Sequence, residues 1–420
     1  MFMLKNPTHP VKCWPRMIAL IDMNAFFASL EQLDNPFWRG RPVAVTNGDR
    51  GTCCITCSYE ARAAGVKTAM HLKQARKLCP GIIQAPARPE RYAEVSTKIM
   101  KALEDICPEI EIFSVDEAFL DLTDCQSYYR FDAKRIGHLI KQKVFQASGG
   151  LLCSVGISGD KTTAKWAAKQ MKPNGLTIIE PWRSAEVLST VPVTDLCGIK
   201  KGIGGYLAQR GVHVCGDMHR LPISELSRRF GNLGRRIWHM AQGQDPDELH
   251  QDVKDPKTIG HGKVIPPNTR DLATISIYLM HMAMKVGRRL RKHEFQAQQF
   301  NIGLLSDEDW IGAKYKTIFP CDDGFLIYEL CRDFLNRHWS GQGVYQVHIR
   351  ALDPKPKSMQ NDLFYERDEK RERLNAAIDR INQKYGEFTV CPAPLINRSD
   401  MPNVIAPSWK PFGHRETIGA

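Results

Sequence analysis

The chain has 420 residues, 43% apolar and 25% charged, with Lys+Arg 58 against Asp+Glu 46 and a net charge of +12. This length predicts two to four domains with real cores, and the basic excess favours a polyanionic partner, nucleic acid before acidic membrane. The thirteen cysteines are odd in number and unpaired in spacing, and no run of about eighteen apolar residues occurs; this excludes a disulfide scaffold and a membrane-spanning helix and predicts a cytoplasmic protein.

Residues 1–16 hold three prolines and read as a loose leader. "MIALID" reads as a buried strand and "NAFFASLEQL" as the following helix, with Asn24 as its N-cap. "RPVAVTN" and "TCCITCS" are two strands, and "YEARAAGV" is a short helix ended by Gly65. The CxxC in "CCITC" has no second ligand pair nearby, so it reads as strand packing, not zinc. Arg91–Cys107 is a strong helix with Tyr92, Val95, Ile99 and Leu103 on one face. "EIFSVDEAFLDL" reads as one strand, "RIGHLIKQKVFQAS" as a helix, "LLCSVGIS" as a strand and "GDKTTAKWAAKQMK" as a basic helix. From about 183 the pattern is short and helical. "DVKDPKT" is a charged linker. Residues 258–353 alternate strands with two long helices, and a charged tail with one helix follows.

Asp22 closes the first strand, and Asp116 and Glu117 interrupt a second apolar run. A buried carboxylate needs a positive partner. Three of them side by side suit a hard divalent ion such as Mg²⁺ or Mn²⁺; the other solution is a buried ion pair with an Arg or Lys elsewhere. Tyr59 and Arg62 on one short helix, and Lys172 before a turn, suit triphosphate oxygens.

"IDMNAFFAS", "SYEARAAGVK", "SVDEAFLDL" and "VGIS…AKWAAKQMKPNG" together resemble the successive motifs of the Y-family translesion DNA polymerases, nearest the DinB (DNA polymerase IV) group, with UmuC-like features toward the C-terminus. The resemblance spans about residues 17–365. It implies an α+β, multidomain right-hand polymerase. The palm would be 17–25 and 88–180, the fingers 26–87, and the helical thumb 181–251. A linker at 252–257, an α+β little finger at 258–353 and a flexible C-terminal tail at 354–420 would follow. It implies Asp22, Asp116 and Glu117 as catalytic, metal-binding carboxylates for two Mg²⁺ ions (Mn²⁺ as substitute), with the Met23 carbonyl as a further ligand. Phe26, Phe27, Thr56, Tyr59, Arg62 and Lys172 would bind the nucleotide, with Phe27 at the position of the steric gate against ribose.

"LCGIKKGIGGYLAQRGV" (196–212) resembles the thumb helix-hairpin-helix, in which Gly198, Lys200 and Lys201 would meet DNA phosphate. The family has Gly-Ile-Gly where this chain has Gly198-Ile199-Lys200, so charge would replace a close backbone approach. "KVGRRLRKH" (285–293) is a basic run suited to sequence-independent phosphate contact. "QNDLF" (360–364) resembles the pentapeptide that binds the bacterial sliding clamp, through Gln360, Leu363 and Phe364. The implied function is template-directed, error-prone lesion bypass without proofreading, in DNA repair and the SOS response. The implied protein is a monomer that uses primer-template DNA and deoxynucleoside triphosphates and avoids membranes. The rivals are a catalytically silent, clamp-bound scaffold and a different two-metal palm enzyme such as a nucleotide cyclase.

Overall fold

The structure, a computed structural model, describes residues 13–48, 53–251, 255–307, 309–357 and 368–397. The chain folds as two units, one within Met1–Val253 and one within Lys254–Asp400.

The first unit is built on a five-stranded sheet. Its elements begin with β1 (Ile18–Met23) and α1 (Phe26–Asp34). A small unit follows: β2 (Val43–Thr46), β3 (Cys54–Cys57), α2 (Tyr59–Ala63), α3 (Leu72–Leu78) and β4 (Ile83–Pro86). Then come α4 (Pro89–Glu104), β5 (Ile110–Ile112), β6 (Glu117–Asp121), α5 (Ala133–Ser148), β7 (Cys153–Ser158), α6 (Lys161–Gln170) and β8 (Leu176–Ile178). The sheet order is β5-β6-β1-β7-β8, and β3-β2-β4 form a separate three-stranded sheet.

Side-chain alternation explains the layering. Ala19, Ile21 and Met23 of β1 share a core with Tyr92, Val95 and Ile99 of α4 and Ile136 and Ile140 of α5. Ile18 and Leu20 face the other way, onto Ala164 and Ala168 of α6. Gly156 lets α6 lie against β7, since a Cβ there would stand 2.2 Å from the Ala164 carbonyl oxygen. The expected single strand "EIFSVDEAFLDL" is instead a hairpin: β5 and β6 pair antiparallel, and the amides of Phe113 and Ser114 both donate to the Glu117 carbonyl. Nor are residues 13–16 loose. Trp14 is buried, its amide donates to Gln126 Oε1, and Arg16 donates to the carbonyls of Asp245 and Asp247.

A helical segment completes this unit: α7 (Ser184–Leu188), α8 (Lys201–Ala208), α9 (Ile223–Phe230) and α10 (Asn232–Met240) around their own apolar core. Within 196–212 only α8 is α-helical; the elements on either side, Val193–Asp195 and Cys215–Arg220, are 3-10 turns, so the expected helix-hairpin-helix is reduced to a turn and one helix.

The second unit has β9 (Thr258–Thr269), α11 (Leu272–Lys292), β10 (Phe295–Ser306), β11 (Trp310–Cys321), α12 (Gly324–His338), β12 (Val344–Leu352) and β13 (Lys355–Pro356). Its antiparallel sheet runs β11-β10-β12-β9, with α11 and α12 over one face. The tail helix is α13 (Glu369–Tyr385), and it is docked. Arg371 pairs with Asp323, Asp379 with Arg291, and Glu387 with Lys285 and Arg288. The basic run 285–293 is therefore largely engaged within its own unit, Arg289 donating to the Gly260 carbonyl.

Candidate active site

β1 lies between β6 and β7, and its register puts Asp22 directly opposite Glu117 on one side and Ser154 on the other. The Met23 amide donates to the Asp116 carbonyl at 2.9 Å, fixing the end of the hairpin turn against the end of β1. The three carboxylates are thus neighbours at one end of the sheet, on the side that α6 covers. Among the described residues, no three His, Cys, Asp or Glu side chains stand as a ready-made cation cage. Each carboxylate instead has its own protein partner. Lys172 Nζ lies 2.5 Å from Asp22 Oδ1. Ser114 Oγ donates to Asp116 Oδ1 at 2.7 Å. Lys165 Nζ donates to both Glu117 oxygens, at 2.9 and 2.8 Å.

The pocket remains short of positive charge. Burial, opposed by Lys172 and reinforced by the charges of Glu117 and Asp116, pushes Asp22 up to about 6. Burial likewise raises Asp116, against its Ser114 hydrogen bond and with the Glu117 charge adding to it. Desolvated, mutually repelling oxygen donors at one strand end are the donor set a hard divalent cation takes, and such a cation relieves both penalties. The residues fit that group.

Asn24 organises the surroundings of Asp22. It does not cap α1, whose N-cap is Ala25 with no side-chain bond. Its amide nitrogen donates to Ser154 Oγ at 2.9 Å, and its Oδ1 accepts from the Asn174 amide at 2.7 Å. The turn that carries Lys172 is thereby tied to the end of β1. Tyr59 starts α2, which Ser58 caps by accepting from the Ala61 amide. The Tyr59 hydroxyl is buried beside Asn24 without a well-formed hydrogen bond, and Arg62 lies 5.0 Å above its ring. Thr56 sits on β3 opposite Val45, two residues before that cap.

Phe26 is core, at 3% exposure. Phe27 is half-buried and stacks on Tyr92 with ring centroids 4.2 Å apart and planes 11° from parallel. Tyr92 donates to Glu31 Oε1 at 2.7 Å, and Arg88 and Arg91 bind Glu31 and Asp34, so α1 is held to α4 by a partly buried polar network. Away from the carboxylates, Gly198 has φ +90 with open space at its Cβ position, and Lys200 stands just before α8 without a side-chain capping bond. Lys200 and Lys201 are exposed. Gln360, Leu363 and Phe364 lie outside the described residues.

Sequence reasoning missed Asn24's cross-link, Ser114 and Lys165. For Lys165 a signal was present: it falls one residue from Ala164 on the sheet-facing stripe of α6, where a lysine needs a carboxylate.

Residues 21–169 match the impB/mucB/samB family, and residues 256–363 match that family's C-terminal domain. The chain is 33% identical to the DNA polymerase IV of Moorella thermoacetica over 383 residues, 89% of this chain and 94% of the relative. It is 32% identical to that of Desulfatibacillum aliphaticivorans, over 90% of this chain and 97% of the relative. It is 30% identical to DNA polymerase IV 1 of Bacillus subtilis, over 88% and 91%. In fold it is similar to a Y-family DNA polymerase chimera, Dbh-Dpo4(243-245)-Dbh, with a TM-score of 0.71 at 24% identity, covering 81% of this chain and all of the other. The chain belongs to the Y-family of translesion DNA polymerases, in its DNA polymerase IV group.

Proposed function

We propose that the chain is a DNA-directed DNA polymerase that extends primers past damaged template bases without proofreading, and that Asp22, Asp116 and Glu117 are its catalytic carboxylates. The observation that carries the reading is the facing of Asp22 and Glu117 across β1 and β6, with the Asp116 carbonyl bound to the next amide of β1. A silent scaffold has no need to gather three carboxylates in a largely buried site where only two lysines offset them.

Family membership carries dependence on divalent metal. Two Mg²⁺ ions, with Mn²⁺ as substitute, would be held by Asp22, Asp116, Glu117 and the Met23 carbonyl. Such a pair supplies activation of the primer hydroxyl and charge stabilisation at the leaving pyrophosphate. The side chains do the rest. Lys172, Tyr59 and Arg62 bind triphosphate oxygens, with Thr56 beside them, and the buried Tyr59 hydroxyl gains a partner it lacks. Phe27, backed by Tyr92, closes the space a 2′-hydroxyl would need. Gly198, Lys200 and Lys201 meet DNA phosphate at the exposed start of α8. Palm, fingers, thumb and little finger then correspond to the main sheet, the β2–β4 unit, the α7–α10 segment and the second unit. Gln360, Leu363 and Phe364 tether this monomer to the sliding clamp in the cytoplasm; among the described residues no helix is long and apolar enough to cross a membrane.

The test is primer extension with Mg²⁺. Asp116→Ala is expected to abolish nucleotide incorporation while primer-template affinity, which comes from basic residues elsewhere, stays within about twofold. Substantial residual synthesis would overturn the carboxylate assignment.

A further inference from the structure

We infer that Lys165 is a positioning residue for Glu117, and that the two lysines of this site have opposite fates when substrate binds. Lys172 leaves Asp22 for the triphosphate, whereas Lys165 keeps Glu117 throughout. The inference rests on the polymerase reading above.

The two ion pairs are built differently. Lys172 lies past the end of α6, its side chain is 25% exposed, and it meets one oxygen of Asp22. Lys165 is in the second turn of α6, its side chain is 10% exposed, and it meets both oxygens of Glu117. Its ammonium also sits 4.0 Å from the centroid of the Phe113 ring, which is itself held edge-on by Phe119. A cation over an aromatic face in a desolvated site is a strong contact. The helix beneath has no slack. Asp160 caps it by accepting from the Thr163 amide and hydroxyl, and Gly156 brings β7 to backbone contact with it. Lys165 therefore has neither a free stem nor a moving helix with which to follow a ligand.

A lysine shared between both oxygens of a carboxylate leaves that carboxylate two consequences. Each oxygen has one direction already taken, so Glu117 is aimed and offers a single oxygen at a time to a cation. One of the site's three negative charges is also offset. Lys165 thus trades metal affinity for geometry. Asp22 carries no such restriction once Lys172 has moved.

Replacing Lys165 by methionine keeps the stem and removes the charge. The site then becomes more negative and less ordered. Mn²⁺ binding to the nucleotide-free protein, followed by the electron paramagnetic resonance of free Mn²⁺, is expected to tighten several-fold. In primer extension kcat is expected to fall about 10- to 100-fold, the range for residues that orient metal ligands, with the KM for dNTP little changed. Lys165→Arg should restore part of kcat and return Mn²⁺ affinity toward wild type. Phe113→Leu, which removes the ring but no charge, should lower kcat without tightening Mn²⁺. Melting temperature and primer-template affinity report folding for each variant, and if Lys165→Met does not fold, Lys165→Arg and Phe113→Leu decide the matter. Weaker Mn²⁺ binding together with lower kcat would reduce Lys165 to a general structural role and overturn the inference, as would kcat within twofold of wild type. Asp116→Ala run alongside separates the two levels: Mn²⁺ binding and synthesis that survive it would remove the carboxylate reading itself, independently of Lys165.

Discussion

Phe27 packs on Tyr92, and we propose a chemical role for the same ring. Its stack on Tyr92 is flat, and Tyr92 is fixed in turn by the buried Glu31, so the outer face of Phe27 has little freedom to retreat from a ligand. A rigid wall discriminates by collision, and removing it opens space at the 2′ position. Phe27→Ala is expected to raise the ratio of ATP to dATP incorporation efficiency by at least about tenfold, the scale on which a single pocket contact discriminates. An unchanged ratio would make Phe27 packing alone and put the gate elsewhere. At this scale the three carboxylates were legible because buried acids inside apolar strands are expensive and therefore conspicuous. Asn24 was not, because an Asn before a helix has a cheap local explanation as a cap. Its real partners, Ser154 and Asn174, are 130 and 150 residues away. Ser114 was hidden for a similar reason, since a hydroxyl in a strand-like run carries no signal until the turn around it is known.

Among the elements, period-two and helical patterns located β1, α4, α5, β7, α6 and the alternating strands and helices of the second unit. The hairpin of β5 and β6 escaped because its turn, Phe113–Asp116, contains neither glycine nor proline and continues the apolar run. The tail helix was legible as a helix but not as a docked one, because what holds it is charge supplied by α11 and by Asp323, far back in the chain. Its docking has a pH signature. Burial alone would raise Asp323, but Arg371, Asn375 and the Phe325 amide hold it below the ordinary carboxylate range. A carboxyl depressed in the folded state stabilises above its unfolded pKa, about 3.9, and that contribution is lost as pH falls through the lower folded value. Hydrogen exchange over 369–385 is therefore expected to accelerate as pH falls below about 4, relative to the β10–β12 sheet of the same unit. Arg371→Met should bring that acceleration to neutral pH at a cost of about 1.5–3 kcal/mol to docking. Equal protection in the mutant at pH 7 would mean that the Arg291–Asp379 and Lys285–Glu387 pairs suffice.

For the whole molecule, catalysis and the proposed tethering are expected to be separable, because the proposed tether lies outside the catalytic residues. Leu363 and Phe364 would act as apolar anchors in a pocket of the clamp, the few contacts that dominate so short an interface. Changing both to alanine is expected to leave distributive primer extension unchanged and to remove stimulation by the sliding clamp. The difference should be largest at low enzyme concentration, where a tether's effective concentration matters most. Titrating clamp against wild type and double mutant decides it; equal stimulation of both would make "QNDLF" a chance match.

The seating of α13 also shapes the electric field of the second unit. With Lys285, Arg288 and Arg291 matched to Glu387 and Asp379, much of the helix-side charge is cancelled at short range. Lys314 and Lys316 on the solvent side of β11, and Arg350 in the row of Lys314 and Asn301, are exposed on the sheet. The exposed positive charge of the described residues thus includes a row on the strands as well as charges on α12 and α13. Long-range steering acts on such exposed charge before any contact forms. A polyanion approaching the sheet face is expected to be drawn by Lys314, Lys316 and Arg350, an attraction that added salt should weaken.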